Sequence, residues 1–128
     1  MAVRRILIIE DEAVTAMMVE DFLAQLGWEV AALACSYETA LVMARDADID
    51  AAVLDINLQG KDSFDAADAL AGRRIPFVFA SGYGSEGICG RFRDVPVLTK
   101  PFHRDELERA LGTAMSATDS PPAVYPAR

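Results

Sequence analysis

The stretch Ala51-Ala52-Val53-Leu54-Asp55-Ile56-Asn57-Leu58 constrains this chain more than any other. Four apolar residues follow one another without a polar break and end on an acid. A short continuous apolar run reads as a strand covered on both faces, the kind found inside a parallel sheet. Its last residue emerges at the carboxyl edge of that sheet, where open α/β folds place their ligands. A carboxylate in that position is a metal ligand, a general base, or a nucleophile that carries an acyl phosphate.

The rest of the chain repeats the same alternation of apolar run and helical period. Ile6-Leu7-Ile8-Ile9 is a first buried strand, followed by Met18, Val19, Phe22, Leu23 and Leu26 at helical spacing and by Gly27 as a stop. Trp28 to Ala34 reads as a second strand at a sheet edge. Ser36 is placed to cap a helix carried by Tyr37, Ala40, Leu41 and Ala44. After the Asp55 strand, Phe64, Ala67, Leu70 and Ala71 give a third helix that ends near Gly72. Ile75 to Ala80 is a fourth strand, with Pro76 tolerated at its start.

A fourth helix is expected after Ser81, but Gly84, Gly87 and Gly90 each cost it about 1 kcal/mol relative to alanine. It should be short or irregular, and residues 82 to 92 should be the most mobile part of the domain. Val95 to Leu98 is a fifth strand that Pro96 confines to an edge. Leu107, Ala110, Leu111, Ala114 and Met115 carry the last helix, and from Ser116 a loose tail is expected. The domain is thus placed at residues 1–117 and the tail at 118–128, with no repeat or second domain. Alternating β and α elements specify an α/β fold: a doubly wound, five-stranded parallel sheet in the order 2-1-3-4-5, with helices on both faces.

Composition narrows the function. The chain has 128 residues, 52% of them hydrophobic, enough for one sizeable core. No apolar stretch approaches the roughly 18 residues of a membrane span, and the apolar run behind Arg4 and Arg5 is too short for a signal peptide. A net charge of −8 argues against nucleic acid as a direct partner. Cys35 and Cys89 have no metal-ligand spacing and are not read as a disulfide. A cytoplasmic protein, associated with neither membrane nor nucleic acid, is expected.

In such a sheet the strand ends share one edge. They deliver Glu10-Asp11-Glu12, Asp55, Ser81 and Thr99-Lys100-Pro101. Two carboxylates about 4 Å apart repel by about 4 kcal/mol at an effective dielectric near 20, so a cation is required. Mg2+ suits oxygen donors and leaves coordination positions for water or phosphate. Lys100 adds a point charge for phosphate oxygens and the Ser81 hydroxyl a neutral donor. These are the parts needed to hold a phosphoryl group on Asp55.

Ile8-Ile9-Glu10-Asp11-Glu12, Leu54-Asp55-Ile56-Asn57, Ala80-Ser81-Gly82 and Thr99-Lys100-Pro101-Phe102 resemble the receiver domain of two-component response regulators, across residues 3 to about 115. The resemblance implies a flavodoxin-like receiver fold, and with no second domain visible a stand-alone receiver without an output domain is expected. It implies Asp55 as phosphoacceptor, Glu10 and Asp11 as metal-binding acids with Asp55, and Asn57 as a metal ligand through its backbone carbonyl. It also implies Ser81 as the switch hydroxyl and Lys100 as the phosphate-binding lysine before a cis proline, Pro101. The phosphoryl donor would be a sensor histidine kinase or a phosphotransfer protein, and a downstream protein would read the switched surface.

The chain departs from that pattern where Val97 replaces the usual switch aromatic three residues before the lysine. Phe79-Ala80-Ser81-Gly82-Tyr83 is instead similar in part to the single-domain subfamily named for a Phe-Ala-Thr-Gly-X-Tyr signature, with serine for threonine and with Tyr83 directly after Gly82. Tyr83 is therefore the candidate switch aromatic. Two other readings stay open: a docking module independent of phosphorylation, and a haloacid-dehalogenase-like phosphohydrolase working through an aspartyl phosphate. The second wants an acid two residues after the nucleophile, where Asn57 stands.

Overall fold

The computed structural model describes residues 4–82, 88 and 90–119. Five parallel strands, β1 (Arg5–Ile9), β2 (Glu29–Ala34), β3 (Ala51–Asp55), β6 (Phe77–Ser81) and β7 (Val97–Thr99), form one sheet. Two short antiparallel strands, β4 (Asn57–Leu58) and β5 (Lys61–Asp62), form a separate ribbon. The sheet order is β2-β1-β3-β6-β7, the expected doubly wound order once the ribbon is left out of the count. The helices are α1 (Ala13–Gln25), α2 (Tyr37–Asp46), α3 (Phe64–Gly72) and α4 (Arg104–Asp119).

Side chains on a strand alternate between faces, and each central strand supplies two cores. Leu7, Ile9, Ala52, Leu54, Phe77 and Phe79 point to the layer of α2 and α3, while Ile6, Ile8, Ala51, Val53, Val78 and Ala80 point to that of α1 and α4. Double coverage explains why β1, β3 and β6 read as unbroken apolar runs. Phe64, Phe77, Phe79 and Phe92 meet on the first face at centroid distances of 5.5 to 6.1 Å, several of them edge to face.

Local chemistry sets the element ends. Ser36 caps α2, its hydroxyl accepting from Thr39 N–H at 3.2 Å. The other end of α2 is closed by Arg73, whose guanidinium donates to the carbonyls of Ala44 and Ala47 at 2.8 and 2.7 Å. Gly27, at φ 79°, stops α1 as expected.

Boundaries differ from expectation at the fourth and fifth sheet strands and at the end of the last helix; the fifth strand covers Val97–Thr99 and not Val95–Leu98, because Pro96 has no N–H to donate. The fourth sheet strand starts at Phe77, because Pro76 has no N–H to donate, and extends through Ser81. Between β6 and β7 the described residues hold only a 3-10 turn, Gly90–Phe92, and no α-helix. Residues 83–87 and 89, and with them Tyr83 and most of the segment expected to be mobile, lie outside the described residues. Helix α4 runs through Ser116 to Asp119, in place of the loose tail expected there. No glycine or proline stands among residues 116–119 to stop the helix. Residues 120–128 lie outside the described residues.

Candidate functional site

Strand register brings the expected side chains to one edge. Ile9 pairs with Leu54, Asp55 with Ala80, and Ser81 with Thr99, so the residues at or just beyond those strand ends are neighbours across the sheet. Glu10 and Asp55 are 3% and 8% exposed, and Ser81 is also buried. The Lys100 ammonium lies 2.9 Å from Glu10 Oε1, 3.1 Å from Asp55 Oδ2 and 3.6 Å from Glu12 Oε1. Glu10 Oε2 accepts from Glu12 N–H at 3.1 Å, so this acid also satisfies a main-chain donor at the start of α1.

One ammonium does not balance these carboxylates. Burial pushes the Glu10 carboxyl up to about 7; the Lys100 ammonium opposes that rise and the neighbouring Asp55 adds to it. Burial alone would lower the pKa of Lys100, but hydrogen bonding to Glu10 and the charge of Asp55 carry it above its ordinary value. One oxygen each of Glu10, Asp11 and Asp55 lies within 4.8 Å of the other two. An all-oxygen donor set of this kind fits a hard divalent cation such as Mg2+. Asp11 and Asp55 open onto a cleft of about 540 Å3 whose lining also includes Glu12, Asn57, Ser81 and Lys100. A second depression, of about 300 Å3, is lined by Ile75, Pro76, Phe77, Val95 and Pro96 at the opposite, amino edge, and none of these acids reaches it.

Residues 6–112 match the response regulator receiver domain. The chain belongs to that family. The solution structure of SdrG from Sphingomonas melonis Fr1 is 45% identical, with a TM-score of 0.81 over 90% of this chain and 99% of that one. The receiver domain of sensor histidine kinase PA1611 from Pseudomonas aeruginosa PAO1, with a magnesium ion coordinated in its active site cleft, is 28% identical at a TM-score of 0.72, over 90% and 99% of the two chains. Transcriptional regulatory protein PdtaR of Mycobacterium tuberculosis is 32% identical over 117 residues, covering 88% of this chain. The matched region spans 57% of the length of that relative.

Within this receiver, Asn57 lines the cleft and its N–H donates to Asp55 Oδ1 at 3.2 Å. The Lys100–Pro101 peptide bond is cis. Two contacts add to the expected set, one from Glu12, already placed at this edge, and one from Gln59, which is not evident from the sequence. Glu12 reaches Lys100 from the first residue before α1. The Gln59 N–H donates to Asp11 Oδ2 at 3.0 Å, from a ribbon that the hydrophobic pattern does not announce. The only signal for that turn is Gly60, standing second in a two-residue loop between Leu58 and Lys61. Among the described residues, no helix is long and apolar enough to cross a membrane.

Proposed function

We propose that this chain is a cytoplasmic phosphoacceptor that takes a phosphoryl group from the phospho-histidine of a sensor kinase or phosphotransfer protein onto Asp55, and so switches a protein-binding surface. The observation that carries this reading is the convergence of Glu10, Asp11 and Asp55 on one point, with the Lys100 ammonium already hydrogen-bonded to Asp55. Asp55 is the nucleophile: one of its oxygens bonds to phosphorus as the phosphorus–nitrogen bond to the donor histidine breaks. Glu10, Asp11, Asp55 and the backbone carbonyl of Asn57 would hold Mg2+, which when bound supplies charge neutralisation for the acids and the incoming phosphoryl oxygens. Lys100 turns from the Asp55 carboxylate to the oxygens of the new phosphoryl group. The Ser81 hydroxyl, at the end of the adjacent strand, supplies a neutral donor to the same oxygens. Such a protein gains rate from positioning and electrostatics and is not an enzyme in the ordinary sense.

The finer likeness to the Phe-Ala-Thr-Gly-X-Tyr subfamily rests on Phe79-Ala80-Ser81-Gly82-Tyr83. In this reading the movement of Ser81 toward phosphate is relayed to Tyr83, since Val97 has too little bulk to serve as the moving aromatic.

Intact-mass measurement after incubation with acetyl phosphate and Mg2+ tests the function. One phosphoryl adduct is expected on the parent and none on Asp55→Asn. No adduct on either would favour a docking module independent of phosphorylation, and steady release of phosphate from phosphomonoesters would favour a hydrolase.

A further inference from the structure

Between β3 and α3 the ribbon of β4 and β5 aims main-chain N–H groups at the acids. Asn57 N–H donates to Asp55 Oδ1 at 3.2 Å and Gln59 N–H to Asp11 Oδ2 at 3.0 Å. Gly60 N–H donates to the Asn57 side-chain Oδ1 at 2.8 Å, closing the turn on itself. Leu58 is buried in the core beneath, so the ribbon is seated on the domain. Gln59 and Gly60 both take positive φ, 53° and 90°, as the first and second residues of a tight two-residue hairpin do. Gln59 N–H reaches Asp11 from that turn.

We propose that this turn is a positioning device for the metal site, in which Gly60 holds Gln59 N–H on one oxygen of Asp11 and leaves the other for the cation. The inference rests on the phosphoacceptor reading above. Asp11 is half-buried, and with neither oxygen fixed its carboxylate must be ordered at the moment of binding, at a cost in rotamer entropy. Mg2+ demands near-ideal octahedral geometry and gains most from a ligand already aimed. Hydrogen-bond partners behind a metal ligand change affinity by roughly tenfold or more when lost.

Gly60 gives a clean test, because a Cβ placed there meets nothing within 4 Å. The first atom of a side chain there meets no clash, so the strain of substitution lies in the backbone angle. A β-branched residue resists positive φ, whereas asparagine tolerates it. The full chain is titrated with MgCl2 and the side-chain carboxyl resonances of Asp11 and Asp55 are followed by NMR, beside thermal unfolding in EDTA. The Mg2+ dissociation constant should rise roughly tenfold in Gly60→Val and return to within about threefold of the parent in Gly60→Asn. Gly60→Ala, a milder change, serves if Gly60→Val does not fold. A ribbon with a merely structural role would lower the unfolding temperature of Gly60→Val and leave its Mg2+ constant at the parent value, and that result overturns the proposal. A parent that shows no saturable Mg2+ response overturns the phosphoacceptor reading itself and the inference with it, so the two failures are distinguishable.

Discussion

Glu10 shows at the scale of one residue how a site of this kind works against its own fold. Its carboxyl is held near 7 instead of 4.5, mainly by burial, so the metal-free folded state retains a proton that the unfolded chain has released. In the window from about 4.5 to about 7 the folded state therefore binds more protons, and stability falls as pH rises. Each tenfold difference in proton affinity between the two states corresponds to about 1.4 kcal/mol. Urea unfolding in EDTA across that window should show this loss, and Glu10→Gln should flatten the slope and leave the protein more stable near pH 7.5. An equal slope in the variant would remove Glu10 as its source. Lys100 acts in the opposite sense. Lys100→Ala leaves Glu10 and Asp55 buried without their ammonium, which should cost about 3 kcal/mol at pH 7.5. Much of that loss should return on lowering the pH to 5.5 or on adding Mg2+, and a loss independent of both would mean that Lys100 matters only for packing.

At the scale of elements, two of the ties that the described residues between β6 and β7 make to the domain differ greatly in strength. Arg91 forms a two-pronged ion pair with Asp68 of α3, both bonds 2.9 Å, but both side chains are about half exposed. Exposed pairs contribute about 1 kcal/mol or less. Phe92, next along, is buried against Phe64, Phe77 and Phe79, and truncating a buried phenylalanine costs about 3–5 kcal/mol. Chemical unfolding should thus find Asp68→Ala nearly neutral and Phe92→Ala severely destabilised; the reverse ranking would make the ion pair the anchor. Phe92 also marks where sequence reading stops. The strands β1 and β3 are legible because burial on both faces leaves an apolar run, and the acids because each stands where such a run ends. Phe92 belongs to no run and no period, so only tertiary packing reveals it. The ribbon escapes for a related reason: Gln59 acts through a main-chain N–H, which no side-chain pattern encodes. The expected early end of α4 at Ser116 overrates small residues as helix breakers, since no glycine or proline stands among residues 116–119.

At the scale of the whole molecule, net charge and site charge have to be separated. A chain of net charge −8 repels itself, so any salt stabilises it somewhat by screening. A rise in melting temperature with MgCl2 alone would therefore not identify a site. Binding to the folded state adds a distinct contribution, RT ln(1 + [L]/Kd), about 1.4 kcal/mol at ten times the dissociation constant. For a domain of this size that corresponds to roughly 4–6 °C. The same ionic strength supplied as NaCl gives screening without a divalent ligand. The expected result is a melting temperature several degrees higher in MgCl2 than in matched NaCl, measured at pH 7.5. Asp11→Asn removes one of the three converging oxygens and keeps the side-chain shape, so it should abolish the difference while still responding to NaCl. The difference should also shrink at pH 5.5, where Glu10 is protonated and must lose a proton before it can act as a ligand. Identical responses to the two salts in the parent protein would mean that Mg2+ acts only on the surface charge, and that the three acids do not form a metal site.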